Sequence, residues 1–395
     1  MIAILVTIVV VSLAYWAAAH GRVAHPAARW ALAGFVLFQL ALVVTQYAER
    51  RYWIYPSVPA QVRTVGYVWG LAVVPFVVLP TLLAWAFAAL ARRLAAWRRR
   101  AFPAPPAPAA TLARRLERRQ FLSTATTLAP LVVTALGTAK AVYQNGTFRV
   151  VRRALALPTL PPALDGLRIV HVSDLHAGRF LTGAVLDDIG AAIDGLDADL
   201  VCFTGDLVDF DHGHLAESLR LLTGVRSRHG VFVVEGNHDL FQGRERFERE
   251  VREAGLPLLL NARTTIPLRG VSLELLGLGW GNAHDERTPA LEANMAALIA
   301  SPAPRADYAI LLAHHPHAFD LAALNAIPLT LAGHTHGGQL MLTPTVGIGA
   351  GLFKYLSGEY ALGDARLVVS NGVGNWFPLR IGAPAEIVEL TLRRG

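Results

Sequence analysis

Five short polar signatures punctuate the second half of this 395-residue chain, each at the end of an apolar run: Asp174-Leu175-His176, Gly205-Asp206, Gly236-Asn237-His238-Asp239, His314-His315-Pro316 and Gly333-His334-Thr335-His336. Together they supply carboxylates, an amide and imidazoles, donors that suit Mn, Fe or Zn better than Mg or Ca, with no cysteine among them to force Zn. A lone Asp-x-His says little, because an Asp capping a helix reads the same way. An ordered set of five is far more specific. Two divalent ions held roughly 3.5–4 Å apart by such groups would polarise a water and clamp the attacking and leaving oxygens of a phosphoryl group. Phosphoryl transfer needs chiefly that positioning and charge neutralisation.

Positioning them requires α/β rhythm, and the chain from Leu167 onward has it. The strands expected are Arg168–Ser173, Leu200–Thr204, Val231–Val234, Ala309–Leu312 and Leu329–Ala332, each running into one signature. Amphipathic helices are expected over Gly183–Ile193, Leu215–Ser227, Glu245–Ala254 and Pro289–Ile299. Thr264–Leu268 and Val271–Leu276 read as a hairpin turning at Arg269-Gly270, and Leu367–Ser370 and Glu386–Leu392 as late strands. Polar groups at the carboxyl ends of several strands are where open α/β sheets build sites.

The ordered pattern D-x-H, G-D, G-N-H-[DE], H, G-H-x-H through residues 174–336 resembles the calcineurin-like metallophosphoesterase family. The Gly-His-Thr-His-Gly-Gly-Gln run at 333–339 and the Pro-Leu-Arg-Ile-Gly-Ala-Pro-Ala-Glu-Ile tail look like its bacterial membrane-associated branch. The resemblance runs from about Leu167 to the carboxyl terminus. It implies a four-layer α/β/β/α sandwich and a phosphohydrolase with two divalent metal ions (Mn, Fe or Zn) cleaving a phosphoester; the resemblance spans monoesters, diesters and pyrophosphates, and a diester is the expected substrate. Carried over residue by residue, Asp174, His176 and His336 would bind the first metal, Asn237, His314 and His334 the second, and Asp206 would bridge them. His238 would be the catalytic imidazole rather than a ligand, with Asp209 as the partner that fixes its tautomer. The family's spacing favours His314 over His315 as ligand. The tail commonly has an Arg where this chain has Asn371, a departure that touches substrate recognition and leaves the metal set intact.

The remaining polar candidates have plainer expectations. Asp239 reads as a structural cap, His171 as a hydrogen-bonded core histidine, and His212, His214, His284 and His317 as solvent-facing loop residues, with His212 and His284 the better candidates for touching substrate. Arg380 and Lys354 either meet a phosphate or solvate a surface, the latter favoured for Lys354. Trp376-Phe377 is expected to pack in the core, and Cys202, the one cysteine, to be a buried small hydrophobe. The compartment stays open on cysteine usage alone.

The first 150 residues are of another kind. They hold 16 Lys and Arg against two acidic residues, a balance of +14, which leaves −7 for the rest of a chain whose formal total is +7. The acidic remainder has no broad basic face, so nucleic acid is not an expected partner, and the high pI belongs to membrane flanks. Ile2–Ala19, Trp30–Tyr47, Val65–Leu90 and Phe121–Ala139 are each long and apolar enough to span a bilayer, at roughly 20 residues per crossing. Tyr52, Trp53 and Tyr55 read as an interfacial aromatic belt. The expected organisation is three transmembrane helices in residues 1–91, a basic Pro/Ala-rich cytoplasmic linker in 92–120, a fourth transmembrane helix in 121–141, and the metallophosphoesterase domain in 152–395.

Arg92, Arg93, Arg98, Arg99, Arg100, Arg114, Arg115, Arg118 and Arg119 place that linker in the cytoplasm by positive-inside bias. The catalytic domain is then periplasmic or extracellular, on a multi-pass protein of the bacterial inner (plasma) membrane. Arg118-Arg119-Gln120-Phe121-Leu122 resembles a twin-arginine export signal, and ordinary positive-inside charge explains it equally well. No acidic residue lies inside the four spans, which favours an anchor over an ion path. A domain tethered beside a bilayer suggests a lipid-linked or envelope phosphodiester as substrate. The competing reading is a non-catalytic binding or regulatory module on the same fold, attached to a membrane sensor or transporter. Retention of every metal position and of the His238/Asp209 pair argues for the enzyme.

Overall fold

The computed structural model describes residues 2–52, 58–102, 109–281, 288–300, 306–343 and 346–395. Trp53, Tyr55, His284 and most of the Pro/Ala stretch lie outside the described residues. The chain divides into two units, Met1–Tyr143 and Gln144–Gly395.

The first unit is helical. Helix α1 spans Ile2–His20, α2 Pro26–Tyr52, α3 Ala60–Val68, α4 Leu79–Ala101 and α5 Ala109–Gln144. Between α3 and α4 the backbone stays helical but widens into a π-helical stretch, Trp69–Val78, that contains Pro75. A proline has no N–H to give, and a wider turn absorbs the missing bond. Four helical stretches, Ile2–His20, Pro26–Glu49, Ala60–Ala101 and Arg114–Gln144, are long and apolar enough to cross a membrane. Their outward faces carry bare apolar side chains such as Ile4, Trp30, Leu83 and Phe87, as lipid-facing helices do. Residues 92–101 and 109–120, expected as linker, instead extend α4 and begin α5. Alanine, leucine and arginine are strong helix formers, so helix continues past the apolar run into the basic one.

The second unit is a four-layer sandwich. One sheet has the order β1-β13-β2-β3-β4 and the other β11-β12-β8-β7-β6-β5. The first comprises β1 Arg149–Leu157, β2 Arg168–Val172, β3 Leu200–Thr204, β4 Val231–Val234 and β13 Glu386–Arg394. The second comprises β5 Ala262–Leu268, β6 Val271–Leu278, β7 Tyr308–Ala313, β8 Leu329–Ala332, β11 Gly358–Leu362 and β12 Ala365–Val369. A small hairpin, β9 Met341–Thr343 with β10 Val346–Gly347, stands apart. β2, β3 and β4 run parallel, as do β6, β7, β8 and β12. These strands read as continuous apolar runs because both faces are covered. Ile169, Leu200, Cys202 and Val388 from one sheet meet Leu273, Ile310, Leu312 and Leu331 from the other in a common buried core.

Helices cover both outer faces. α6 Ala184–Asp194, α7 Leu215–Gly224 and α8 Arg244–Glu253 bury Leu186, Ile189, Leu222 and Phe247 against the first sheet. α9 Thr288–Ala300 and α10 Ala318–Leu324 lay Met295, Leu298 and Ala322 on the second. Each such buried Leu or Ile contributes about 1.5–3 kcal/mol.

The strand least visible in the sequence is β1, which begins at Arg149, before the expected start of the domain at Arg152. It pairs along its whole length with β13 in parallel register. As an edge strand it carries Arg149, Arg152 and Arg153 among half-buried Val150 and Val151 and buries only Leu155 and Leu157, a charged pattern that blunts the sheet edge and breaks up any apolar run.

Candidate metal centre

The parallel strands of both sheets end side by side, and each hands its next few residues to one place. Asp174 and His176 follow β2, Asp206 follows β3, Asn237 and His238 follow β4, His314 follows β7, and His334 and His336 follow β8. The loops are laced together through the backbone: Asp174 N–H donates to Gly205 O (3.0 Å), His176 N–H to Asp206 O (2.9 Å), and Gly333 N–H to His314 O (3.1 Å). The turns are sharp. Asp174, His176, Asp206, His334 and His336 all have left-handed backbone, with φ of 54°, 47°, 56°, 69° and 50°. Non-glycine residues seldom hold that conformation, and clusters of it mark sites where the surroundings enforce geometry. At Gly333 a Cβ would collide with Ser173 Oγ and Asp174 Oδ2, and at Gly236 with Asp206 Oδ1, so glycine is what lets the carboxylates sit under the loops.

The donors fall into linked groups. Asp174, His176 and His336 bring ligand atoms within 4.8 Å of one another, and so do Asp206, His314 and His334, and His176, Asp206 and His238 across them. His336 Nε2 is 3.3 Å from Asp174 Oδ1 and 2.9 Å from His176 Nε2. Asp206 Oδ2 stands between the groups, 3.4 Å from His176 Nε2 and 3.2 Å from His314 Nε2. His334 Nδ1 lies 3.3 Å from His314 Nε2. Asn237 is buried and its Oδ1 has no hydrogen-bond partner. An orphaned amide oxygen beside converging imidazole and carboxylate lone pairs fits a divalent cation, which satisfies all of them at once.

Electrostatics points the same way. Burial, with contributions from neighbouring imidazoles, pushes His176, His334 and His336 well below the usual imidazole range. Burial raises the Asp206 carboxyl, but His314 and His238 outweigh it and the net direction is down. His314 runs the other way: burial would lower it, yet Asp206 and Asp174 push it up to about 9. Its Nδ1–H donates to Thr204 O at 2.6 Å, which leaves Nε2 facing Asp206. Neutral imidazoles beside an ionised carboxylate are the state that ligates a cation, and His176, His334, His336 and Asp206 are in it. Burial pushes the Asp174 carboxyl up to about 6, and His314, held cationic by the carboxylates, would give up its Nε2 proton to a metal.

His238 sits at the rim of this group, its ring centroid 4.6 Å from that of His176, and its backbone N–H donates to Asp206 Oδ1 at 2.9 Å. Asp209 is its partner, through the backbone rather than the carboxylate. His238 Nδ1 makes its hydrogen bond to the backbone carbonyl of Asp209, while the Asp209 carboxylate Oδ1 is 3.7 Å away. Oδ2 accepts instead from Arg179 Nε at 2.6 Å. Arg179, five residues after Asp174, is 7% exposed and gave no signal in the sequence, because an arginine in a loop predicts no particular partner.

Other residues resolve individually. Asp239 accepts from four backbone N–H groups, those of Asp206, Leu207, Val208 and Gly236 (2.8–3.2 Å), and ties the β3 loop to the β4 loop. His315 is outside the ligand groups; its ring packs at tilted angles against His317, Trp280, Phe353 and His334. His212 corrects its expectation: it is buried, with Nε2 2.7 Å from Asp239 O. A flanking glycine and aspartate made its segment look like open loop. His171 is buried with Nε2 2.8 Å from Thr204 Oγ1. Lys354 pairs with Asp320 on the surface. Phe377 is buried and Trp376 half-buried.

Arg380 neither meets solvent nor projects freely toward a phosphate. It is 3% exposed. Its guanidinium donates to Asn375 Oδ1 (2.6 Å), Asn371 O (2.8 Å), Gly374 O (2.6 Å) and His336 Nδ1 (2.9 Å). Burial pulls it down to about 10, so it stays cationic. Asn371, where the family tail commonly has Arg, bonds through Oδ1 to Ser357 Oγ.

The profile of the calcineurin-like phosphoesterase family matches residues 167–338. Phosphodiesterase YaeI of Escherichia coli is 30% identical over 288 residues, 70% of this chain and 99% of that protein. An uncharacterized metallophosphoesterase of Campylobacter jejuni is 31% identical over 237 residues, 59% of this chain and 61% of that one. A transmembrane protein with metallophosphoesterase domain from Danio rerio is 28% identical over 277 residues, 68% of this chain and 63% of its own length. With the five signatures in order at the strand ends of a four-layer sandwich, and four apolar helices ahead of it, the chain belongs to the calcineurin-like phosphoesterase family of metal-dependent phosphoester hydrolases.

Proposed function

We propose that this protein is a membrane-anchored phosphohydrolase that holds two divalent ions, Mn, Fe or Zn, and cleaves a phosphodiester carried by a lipid or envelope component on the outer side of a bacterial plasma membrane. The observation that carries the reading is Asp206, whose Oδ2 stands between the imidazoles of His176 and His314. Asp174, His176 and His336 would hold one ion and Asn237, His314 and His334 the other, with Asp206 shared. The bound ions supply Lewis acidity that activates water and neutralises phosphoryl charge.

The chain's own residues do the rest. His238 is half-buried at the rim and anchored at Nδ1 by the Asp209 carbonyl. A ring that donates at Nδ1 presents Nε2 to the reacting group, where as an imidazolium it gives a proton to the leaving oxygen. The left-handed turns and the glycines beneath them fix the donors before substrate arrives. Trp280, whose ring centroid lies 4.9 Å from His334 and 5.3 Å from His314, screens one flank of the site from water. The outward orientation rests on the arginine-rich ends of α4 and α5 lying on the cytoplasmic side. Phosphodiesterase as the named activity of the E. coli relative supports the choice of diester.

The test uses the full chain in detergent, stripped of metal and resupplied with Mn, Fe, Zn or Mg, with bis-p-nitrophenyl phosphate as substrate beside Asp206→Asn and His238→Ala. Metal-dependent turnover that both variants lose is the expected result. Metal binding without turnover on phosphodiesters or monoesters would assign the domain to the non-catalytic module instead.

A further inference from the structure

The helical unit carries a basic cavity that the catalytic reading does not use. It measures about 550 Å³ and lies where the end of α1 and the turn after it, the middle of α4 and the first half of α5 come together, walled by Arg22, Arg92, Arg115, Arg118, Arg119 and Trp85. The unit has only two acidic residues, Glu49 and Glu117, and Glu49 faces Arg63. Among the described residues, none of the five wall arginines makes an ion pair. Arg22 is held in place: its Cζ lies 3.9 Å from the Trp85 ring centroid, and Nη1 donates to Ala18 O. Trp85 is fixed in turn, Nε1 donating to Thr126 Oγ1 at 3.0 Å.

Positive-inside bias alone calls for arginines near the bilayer surface but gives no reason for five of them to line one concavity. Arg93, Arg98, Arg99 and Arg100 satisfy that bias without touching the cavity. Like charges around one concavity repel one another and focus field on whatever enters it, so the arrangement is completed by an anion. The planar guanidinium fork matches phosphate oxygens in pairs. Ala18, Ala88 and Leu122 complete the wall, giving an apolar border beside the charged one, and basic pockets between transmembrane helices bind anionic headgroups.

We propose that this cavity binds a phosphate group, carried by the headgroup of an anionic phospholipid. The site gives Arg118 and Arg119 a role in the mature protein in addition to any role in export. It is independent of the metal centre.

Full-length protein in detergent is titrated with short-chain phosphatidylglycerol, short-chain phosphatidylcholine or inorganic phosphate, and bound species are counted by native mass spectrometry. Phosphatidylglycerol should saturate one site, with phosphatidylcholine binding at least tenfold more weakly. Arg22→Gln with Arg92→Gln should weaken it about tenfold to thirtyfold. Arg98→Gln with Arg99→Gln, an equal loss of charge outside the cavity, should leave it within about twofold. Arg22→Lys with Arg92→Lys keeps the charge and should recover most of the binding, which separates loss of the site from loss of fold. Equal weakening by the two Gln pairs would overturn the site in favour of general interfacial attraction. Inorganic phosphate binding as tightly as the lipid and displacing it would overturn the lipid as the source of the phosphate group.

Discussion

Arg380 Nη2 lies 2.9 Å from His336 Nδ1, so a buried guanidinium braces the ring whose Nε2 faces Asp174 and His176. The same guanidinium gathers the carbonyls of Asn371, Gly374 and Ala383. One side chain therefore couples the folding of the carboxyl-terminal tail to the orientation of a candidate ligand. A guanidinium only donates, so Nδ1 accepts here and the ring's proton sits on Nε2, to be given up when a metal binds. Losing the partner that orients a ligand ring typically costs 10–100-fold in metal affinity or activity. Arg380→Lys keeps the charge but lacks the fork that reaches several acceptors at once. It should lower metal retention against a chelator by about 10–100-fold with the far-UV spectrum unchanged. Retention equal to wild type would show that His336 is oriented without it.

The His238 and Asp209 pair separates carbonyl from carboxylate. Because His238 Nδ1 bonds to the Asp209 backbone carbonyl and the carboxylate serves Arg179 at 2.6 Å, Asp209→Asn leaves the imidazole's anchor in place. His238→Ala should lower kcat by about 10²–10⁴. Asp209→Asn should lower it by less than about tenfold while costing roughly 1–3 kcal/mol of stability through the weakened contact to Arg179. Matching losses of kcat in the two variants would make the carboxylate, at 3.7 Å, the operative partner.

The site and the fold were legible in the sequence to different depths. Asp174, Asp206, Asn237 and His314 stood out because each follows an apolar run that could only be a buried strand, and strand ends in α/β sheets converge. What the sequence could not show was who holds whom. Arg380 reaches His336 from 44 residues away and Arg179 reaches Asp209 from 30, and no local pattern encodes such a contact. His212 looked exposed beside Asp211 and Gly213, but its contact with the Asp239 carbonyl draws it inside. β1 is hidden for the opposite reason: its register with β13 is a property of two distant segments, and its three arginines interrupt the apolar residues so that it resembles neither a buried strand nor an amphipathic helix.

A histidine outside the ligand groups sets a pH dependence of stability. His171 lies within β2 and is buried, and burial pushes its imidazole down from the ordinary 6.5 to about 3. Above pH 6.5 the ring is neutral folded or unfolded, and it favours neither state. Below 6.5 the unfolded chain takes up a proton that the folded chain refuses, so stability is lost as pH falls from 6.5 toward 3, by up to about 1.4 kcal/mol per pH unit. In His171→Gln, which keeps a donor for Thr204, the slope of unfolding free energy against pH in that window should be shallower by about that amount. An identical slope in both proteins would mean that His171 titrates normally.

The start of the catalytic unit is the last point that can be tested by simple truncation. A chain beginning at Arg152 lacks Arg149, Val150 and Val151, the first three of the nine residues through which β1 pairs with β13. Val150 packs on the core beneath the first sheet. Arg149 Nη2 lies 3.0 Å from Glu386 Oε2, a carboxylate 1% exposed, so its removal strips a buried charge of one partner. Asn371 N–H still donates to Glu386 Oε1, and the Arg149 side chain is about half exposed, which moderates the loss. Roughly 1–3 kcal/mol is the expected penalty from the lost core contact and the weakened ion pair. In a unit of this size that corresponds to about 2–12 °C in Tm. A unit beginning at Gln144 should therefore melt higher than one beginning at Arg152 by that margin, measured by scanning calorimetry at equal metal loading. Equal melting temperatures would show that the amino-terminal third of β1 adds pairing without adding stability.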